Sequence, residues 1–308
     1  MAIGDDQQGE KNLAAAVLRT LAYFDVFDYP LTALEVQRWL WRKRASASEV
    51  VQVLQQLEQA RRLQRVHGYY HLPGRSAAVA ARWQRYLDAE LKFRRALRAA
   101  GWLRWLPAVR LVAVCNNAAY GNAKTESDID LFIVVAPGRL WLTRLAVTVI
   151  MQLLGLRRHG GRIANRCCLS FYVTANAADL SRFSLAPDDP YLVYWLATLA
   201  VIYARAGEAE SFWHANAWVK EWLPNGQPRL LSARRSVPAP QHWLLPEGSA
   251  GLEYIARRLQ RAKMATRERA RASRLGVVIS DDVLKFHEED RRTAYRQQWE
   301  ERCQAQGV

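Results

Sequence analysis

Apolar residues recur at intervals of three and four along the first sixty residues, and this spacing predicts helices. A first helix is predicted over residues 11–24, because its apolar side chains share one face. Those side chains are Leu13, Val17, Leu18 and Leu21.

Two further helices are predicted by their starting residues. Thr32 and Ser46 each stand three residues before a glutamate, which is the spacing of a capping box. A β-hairpin that turns at His67 and Gly68 follows. Three helices and a hairpin predict a winged-helix-like module over residues 1–75. Such a module binds nucleic acid or docks a protein partner, and the glutamines on its third helix leave both functions open.

The next part of the chain changes from helical to strand patterning. Residues 76–107 predict one connector helix with a basic polar side, which ends at Pro107. Apolar runs of strand length then begin near residues 108, 129 and 165. These runs predict an α/β core with a small mixed sheet over residues 108–186.

The remainder is predicted to be mainly helical. Aromatic residues at helical spacing predict a helical bundle over residues 187–226. A linker rich in Pro, Gly and Ser and then basic helices are predicted over residues 227–308, with a tail helix over residues 282–298. The predicted fold class is α+β.

Charge and composition narrow the classes of partner. The chain has 308 residues and a formal net charge of +15, which favours polyanions such as nucleic acid and nucleotides. A basic helix from Leu252 to about Arg274 is the main candidate for nucleic-acid contact, although a solvated helix face explains it equally well. Four cysteines without a CxxC spacing indicate neither a zinc site nor a disulfide framework.

Nothing in the hydropathy pattern predicts a membrane protein. The longest apolar run, residues 140–156, contains Arg144 and Gln152 and is short for a membrane span. The first residues are polar and lack the apolar segment of a signal peptide. We therefore expect a cytoplasmic location.

The chemistry of the chain centres on two acids, Asp128 and Asp130. They alternate with Ile129 and Leu131 in a predicted strand, so both carboxylates point to the same side. Two carboxylates side by side repel each other unless a cation lies between them. A hard divalent cation such as Mg²⁺ or Mn²⁺ is the expected cation.

The stretch from Leu111 to Val135 resembles the signature of the DNA polymerase beta-type nucleotidyltransferase superfamily. The family pattern is an apolar strand, Gly-Ser, a short helix, and Asp-x-Asp between apolar residues. The second half is matched by Gly121 and by Ser127 to Asp130. The first half departs, because Asn116 and Asn117 stand in place of Gly-Ser.

The resemblance implies residue roles. Asp128 and Asp130 would be the catalytic and metal-binding residues, with a third carboxylate on the strand over residues 165–174. That strand contains no acid, and Ser170 is the polar residue at the expected position. Nucleotide binding would involve residues of the turn and of the next helix. These are Asn116, Asn117, Gly121, Lys124, Ser127, Arg139 and Arg144.

The sequence leaves two functions open. One is a metal-dependent nucleotidyltransferase that moves a nucleoside monophosphate from a nucleoside triphosphate to an acceptor. The other is a catalytically degenerate relative that binds nucleic acid or a protein as an adaptor. The altered Gly-Ser position and the acid-free strand favour the second function, and the intact Asp-x-Asp favours the first.

Overall fold

Helices α1 (Ala2–Asp25), α2 (Ala33–Arg38) and α3 (Ala47–Gln59) and the hairpin β1 (Gln64–Val66) and β2 (Tyr69–His71) form the first part of the chain. A computed structural model describes residues 2–241, 248–268, 276–286 and 290–308. Both predicted capping boxes are present, with Thr32 and Ser46 accepting hydrogen bonds from the glutamate N–H groups. The predicted helices and hairpin are therefore confirmed.

Helix α4 (Ala77–Leu103) is one element, as predicted, but it is more than a connector. Phe93 and four of its alanines, Ala89, Ala96, Ala99 and Ala100, are buried in the same apolar cluster as the sheet. Small side chains at Ala96, Ala99 and Ala100 let the helix pack closely against the strands. The helix is part of the core that supports the aspartates.

The central sheet is mixed, as predicted, but larger. Its strands are β3 (Val109–Val114), β4 (Ile129–Val135), β5 (Cys167–Thr174), β6 (Ala200–Ala204), β7 (Val277–Ile279) and β8 (Val283–Phe286). The order is β6-β3-β4-β5-β8-β7, with β4 and β5 parallel and the other pairs antiparallel. Short helix α5 (Asn116–Ala119) connects β3 to β4, and α6 (Leu140–Leu153) follows β4.

Three of these strands correct the sequence interpretation. Strand β6 interrupts the predicted helical bundle, because its β-branched run pairs with the edge of β3. Strands β7 and β8 lie in the segment predicted to be helical and extend the sheet beyond β5. The tail helix consequently begins at Arg292 rather than at residue 282.

The remaining helices are α7 (Pro190–Thr198), α8 (Glu208–Ala215), α9 (Val219–Trp222), α10 (Ala250–Glu268) and α11 (Arg292–Ala305). Helix α10 is the predicted basic helix, and residues 269–275 of that prediction lie outside the described residues. None of the described helices combines the length and apolar character that crossing a bilayer requires.

Helix α11 packs against the first part of the chain. The indole N–H of Trp299 donates to the carbonyl of Arg19 (2.9 Å), and Arg302 forms an ion pair with Asp25 (2.7 Å). Trp299 and Tyr194 of α7 belong to the apolar cluster of α1 to α3. The N-terminal module, α7 and α11 thus share one core beside the sheet.

Candidate metal and nucleotide site

The two aspartates stand at the start of β4, as the alternation predicts. Ile129 and Leu131 are fully buried on one side, while Asp128 and Asp130 are partly exposed on the other. The end of β3 and the start of β5 flank this point, because β3 is antiparallel and β5 is parallel to β4. The site therefore lies at one end of the three neighbouring strands β3, β4 and β5.

Cys168, rather than Ser170, is the β5 residue directly beside Asp130. The two residues are paired in the ladder, and a register shift follows before Phe132 pairs with Phe171. One oxygen of each carboxylate and Sγ of Cys168 all lie within 4.8 Å of one another. Ser170, the residue that the sequence pointed to at this position, lies two residues further along β5.

Asn116 connects Asp130 to α7. Its amide nitrogen donates to Oδ2 of Asp130 (2.7 Å), and its Oδ1 accepts from Tyr191 (3.1 Å) and from the indole of Trp195 (2.9 Å). Its backbone is left-handed, with a φ of 56°, a conformation that asparagine tolerates better than most residues. Asn116 therefore fixes Asp130 and does not present its amide to the cavity as an unpaired group.

Burial and like charge control the ionisation of Asp130. Burial, followed by repulsion from Asp128, raises the pKa of Asp130 from 3.8 to about 6, against the opposing effects of Asn116 and Arg158. The pKa of Cys168 is raised to about 12, mainly by burial and next by the negative charge of Asp130. The Cys168 thiol is therefore neutral at pH 7, while Asp130 is mostly ionised.

Arg158 forms an ion pair with Asp128. Its Nη1 donates to Oδ2 of Asp128 at 2.6 Å and lies 3.8 Å from Sγ of Cys168. Arg158 belongs to a loop over residues 157–162 that is basic in sequence. Because this loop enters β5 next to Cys167, the fold brings one of its arginines to the aspartates.

A cavity of about 390 Å³ opens beside the aspartates. Its apolar walls come from α1, α7 and α11, with Tyr191 and Tyr295 stacked at 5.5 Å. The sequence reasoning missed this wall, because its parts are far apart in the chain. The aromatic lining consists of Tyr23, Phe24, Phe27, Tyr120, Tyr191, Tyr194, Trp195 and Tyr295.

The turn residues predicted to bind nucleotide separate into two groups. Asn117 and Ser127 line the cavity, with Oδ1 of Asn117 accepting from Tyr120 (2.6 Å). Gly121 has a φ of 88° and lies against Tyr86, so the structure explains it as a turn residue. Lys124 is exposed and is not part of the cavity lining.

Arg139 and Arg144 are not brought together with the aspartates. They follow the end of β4, whereas Asp128 and Asp130 stand at its start, so the strand separates them from the site. Arg144 donates to Gln260 (2.6 Å), and Arg139 to the carbonyl of Gly138 (2.8 Å). The expectation that both arginines meet the phosphates required a ligand at the C-terminal end of β4, whereas the aspartates stand at its N-terminal end.

Lys92 of α4 holds the two loops that lead into the site. Its ammonium group donates to the carbonyl of Thr125 (3.1 Å) and to Oδ1 of Asn165 (2.8 Å). The side chain is fully buried, and burial lowers its pKa. One loop precedes Asp128 and the other precedes Cys168, so Lys92 fixes both strand starts relative to each other.

Comparison of the chain with family models, with curated proteins and with solved structures found no match.

Proposed function

We propose that this protein is a metal-dependent nucleotidyltransferase that takes a nucleoside triphosphate as donor. The observation that carries the proposal is the convergence of Asp128 and Asp130 beside a cavity of about 390 Å³. Pockets of this size accommodate small organic ligands. Paired carboxylates next to such a cavity are suited to phosphate chemistry with a divalent cation.

The residues fit a hard divalent cation. Carboxylate oxygens are the preferred ligands of Mg²⁺ and Mn²⁺, and Asp128 and Asp130 would hold the ion. Cys168 lies at the third position, and its sulfur would favour Mn²⁺ over Mg²⁺ if the thiol lost its proton to bind the ion, because sulfur is a softer ligand. When bound, the ion would neutralise the charge of the phosphates during an in-line displacement.

The neighbouring residues orient the acids. Tyr191 and Trp195 hold Asn116, which in turn holds Asp130. Within the described part of the chain, Asp128 and Asp130 are the only carboxylates that line the cavity. Because both acids would hold the ion, the proton of the attacking hydroxyl or amine would pass to a water molecule.

The aromatic wall is suited to the flat part of a nucleotide or acceptor. Stacking on an aromatic side chain is worth about 1–3 kcal/mol per nucleobase. Tyr191 and Tyr295 present such rings a short distance from the acids. The wall accounts for binding of the organic part of a ligand, and the acids account for reaction at its phosphates.

Transfer from a labelled donor tests the proposal. Each α-labelled nucleoside triphosphate is incubated with the protein, Mn²⁺ or Mg²⁺, and the small-molecule, protein or RNA fraction of a cell extract. We expect labelled product from the wild type and a loss of at least about a hundredfold in Asp128→Asn. Glu210→Gln, which changes an exposed carboxylate on α8, should keep the activity. A wild type that binds neither the metal nor a triphosphate would refute the proposal.

A second candidate function is an adaptor that keeps the fold of the site without catalysis. It is favoured by the ion pair that Arg158 makes with Asp128 and by Cys168 in place of a third acid. The adaptor would bind nucleic acid or a protein through the winged-helix-like module or through α10, whose Arg258, Arg261 and Lys263 are exposed. RNA binding with a steep salt dependence that Asp130→Ala leaves unchanged, without any transfer of label, would identify this function.

A further inference from the structure

Arg158 lies where a metal ion would meet Asp128. Its Nη1 is 2.6 Å from Oδ2 of Asp128 and 3.8 Å from Sγ of Cys168. These are two of the three groups whose ligand atoms converge at the site. The guanidinium and a bound cation therefore compete for the same carboxylate.

The arginine side chain can leave without a movement of its loop. The N–H of Arg158 donates to the carbonyl of Cys167 (2.9 Å), which fixes its backbone to the start of β5. The side chain is long and 45% exposed, whereas that of Asp128 is 16% exposed. Rotation of the side chain alone therefore moves the charge from the acid towards solvent or towards a ligand.

We propose that Arg158 is a built-in counterion that a divalent cation displaces from Asp128, and that the displaced guanidinium then binds the phosphates of the nucleotide. This inference rests on the proposed function. A guanidinium and a divalent cation on the same carboxylate repel each other, which disfavours their joint occupation of Asp128. A triphosphate beside the metal attracts the released guanidinium, which can bind phosphate oxygens through two N–H groups.

Substitution of Arg158 should have opposite effects on the affinities for the metal and for the nucleotide, and this distinguishes the proposed role from a structural one. Removal of the arginine takes away a competitor, so the metal should bind more tightly. The same change removes a phosphate ligand, so the nucleotide should bind more weakly once the metal is present. A loss of local structure would weaken both.

Calorimetric titration with Mn²⁺ alone gives the first measurement. We expect Arg158→Ala and Arg158→Gln to bind Mn²⁺ about three- to tenfold more tightly than the wild type, which is the range for one partly exposed ion pair. ATP titrated into protein saturated with Mn²⁺ gives the second measurement. There the two variants should bind about tenfold more weakly.

Arg157→Ala is the matched control, because Arg157 lies on the same loop but its Nη1 donates to Gln152 (3.4 Å), away from the acids. It should match the wild type in both titrations. If Arg158→Ala binds Mn²⁺ no more tightly than Arg157→Ala, or binds ATP equally well, the inference is wrong while the proposed function stands. If neither the wild type nor Arg158→Ala binds Mn²⁺, the proposed function itself fails.

Discussion

At the residue scale, the ionisation of Asp130 governs when the site can hold a cation. Its pKa is raised to about 6, so the carboxylate is protonated below that pH and a metal must compete with the proton. We expect the affinity for Mn²⁺ to be constant above about pH 7 and to fall by about tenfold per unit below pH 6. Titrations between pH 5 and 8 measure this, and an affinity independent of pH over that range would contradict it.

The same shift predicts how stability depends on pH without metal. Because the pKa of Asp130 is higher in the folded protein than its ordinary value of 3.8, the folded state binds this proton more tightly. The resulting stabilisation is complete below pH 3.8 and is lost as the pH rises through about 6. Asp130→Asn should remove this component, so the difference in unfolding free energy between wild type and variant should change between pH 4 and 7. A constant difference over that interval would argue against a raised pKa.

Asn116 combines a backbone role with a side-chain role, and two variants separate them. Asn116→Gly keeps the left-handed backbone but loses the hydrogen bonds to Asp130, Tyr191 and Trp195, which should cost about 1–3 kcal/mol. Asn116→Ala should cost about 1 kcal/mol more, because alanine does not favour a φ of 56°. Urea denaturation measures both values. Equal losses would show that the backbone conformation is not strained.

The relative positions of Asp128 and Asp130 can be predicted from the sequence, whereas those of Cys168 and Arg158 cannot, for a physical reason. Alternation along one strand places Asp128 and Asp130 together without any knowledge of the rest of the chain. Cys168 and Arg158 depend on which strand lies beside β4 and on its register, and neither is a local property. A prediction that paired the strands first would have found Cys168.

At the scale of elements, α4 positions the site through Lys92. The lysine crosses from the helix to the loops before β4 and β5, and its two acceptors are a backbone carbonyl and an amide oxygen. Lys92→Met should lower the unfolding free energy by about 1–3 kcal/mol, because two part-buried acceptors lose their partner.

The same substitution should weaken Mn²⁺ binding, since both strand starts lose their common anchor. Arg94→Met changes an exposed residue of the same helix and should alter neither quantity. Unfolding curves and Mn²⁺ titrations of the two variants measure the difference. Unchanged metal binding in a destabilised Lys92→Met would show that the lysine supports the fold but not the site.

Helices and strands could be predicted where the residues that stabilise them lie close together in the sequence. The capping boxes at Thr32 and Ser46 mark true helix starts, because the cap satisfies backbone groups within one turn. Strands β6, β7 and β8 were missed because each is short and is stabilised by pairing with a distant strand. Strand β6 carries its own signal, the β-branched pair Val201 and Ile202, which the aromatic helical pattern on either side concealed.

At the scale of the whole molecule, the cavity exists only because distant segments meet. Phe27 comes from the turn after α1, Tyr191 from α7 and Tyr295 from α11, and each contributes a ring to the wall. The apolar cluster that joins these elements also contains residues of α2 and α3. The N-terminal module is thus part of the candidate site.

This arrangement predicts that the N-terminal module and α11 unfold together. Trp299 fills the shared core and donates to the carbonyl of Arg19, so Trp299→Ala should lower the unfolding free energy by about 3–5 kcal/mol. Gln298→Ala, an exposed position on the same helix, should change it by less than about 0.5 kcal/mol. Thermal unfolding followed by tryptophan fluorescence and by circular dichroism measures both variants. Coincident transitions that shift together in Trp299→Ala would show one cooperative unit. An early separate transition confined to the variant would show that the module folds independently of the sheet.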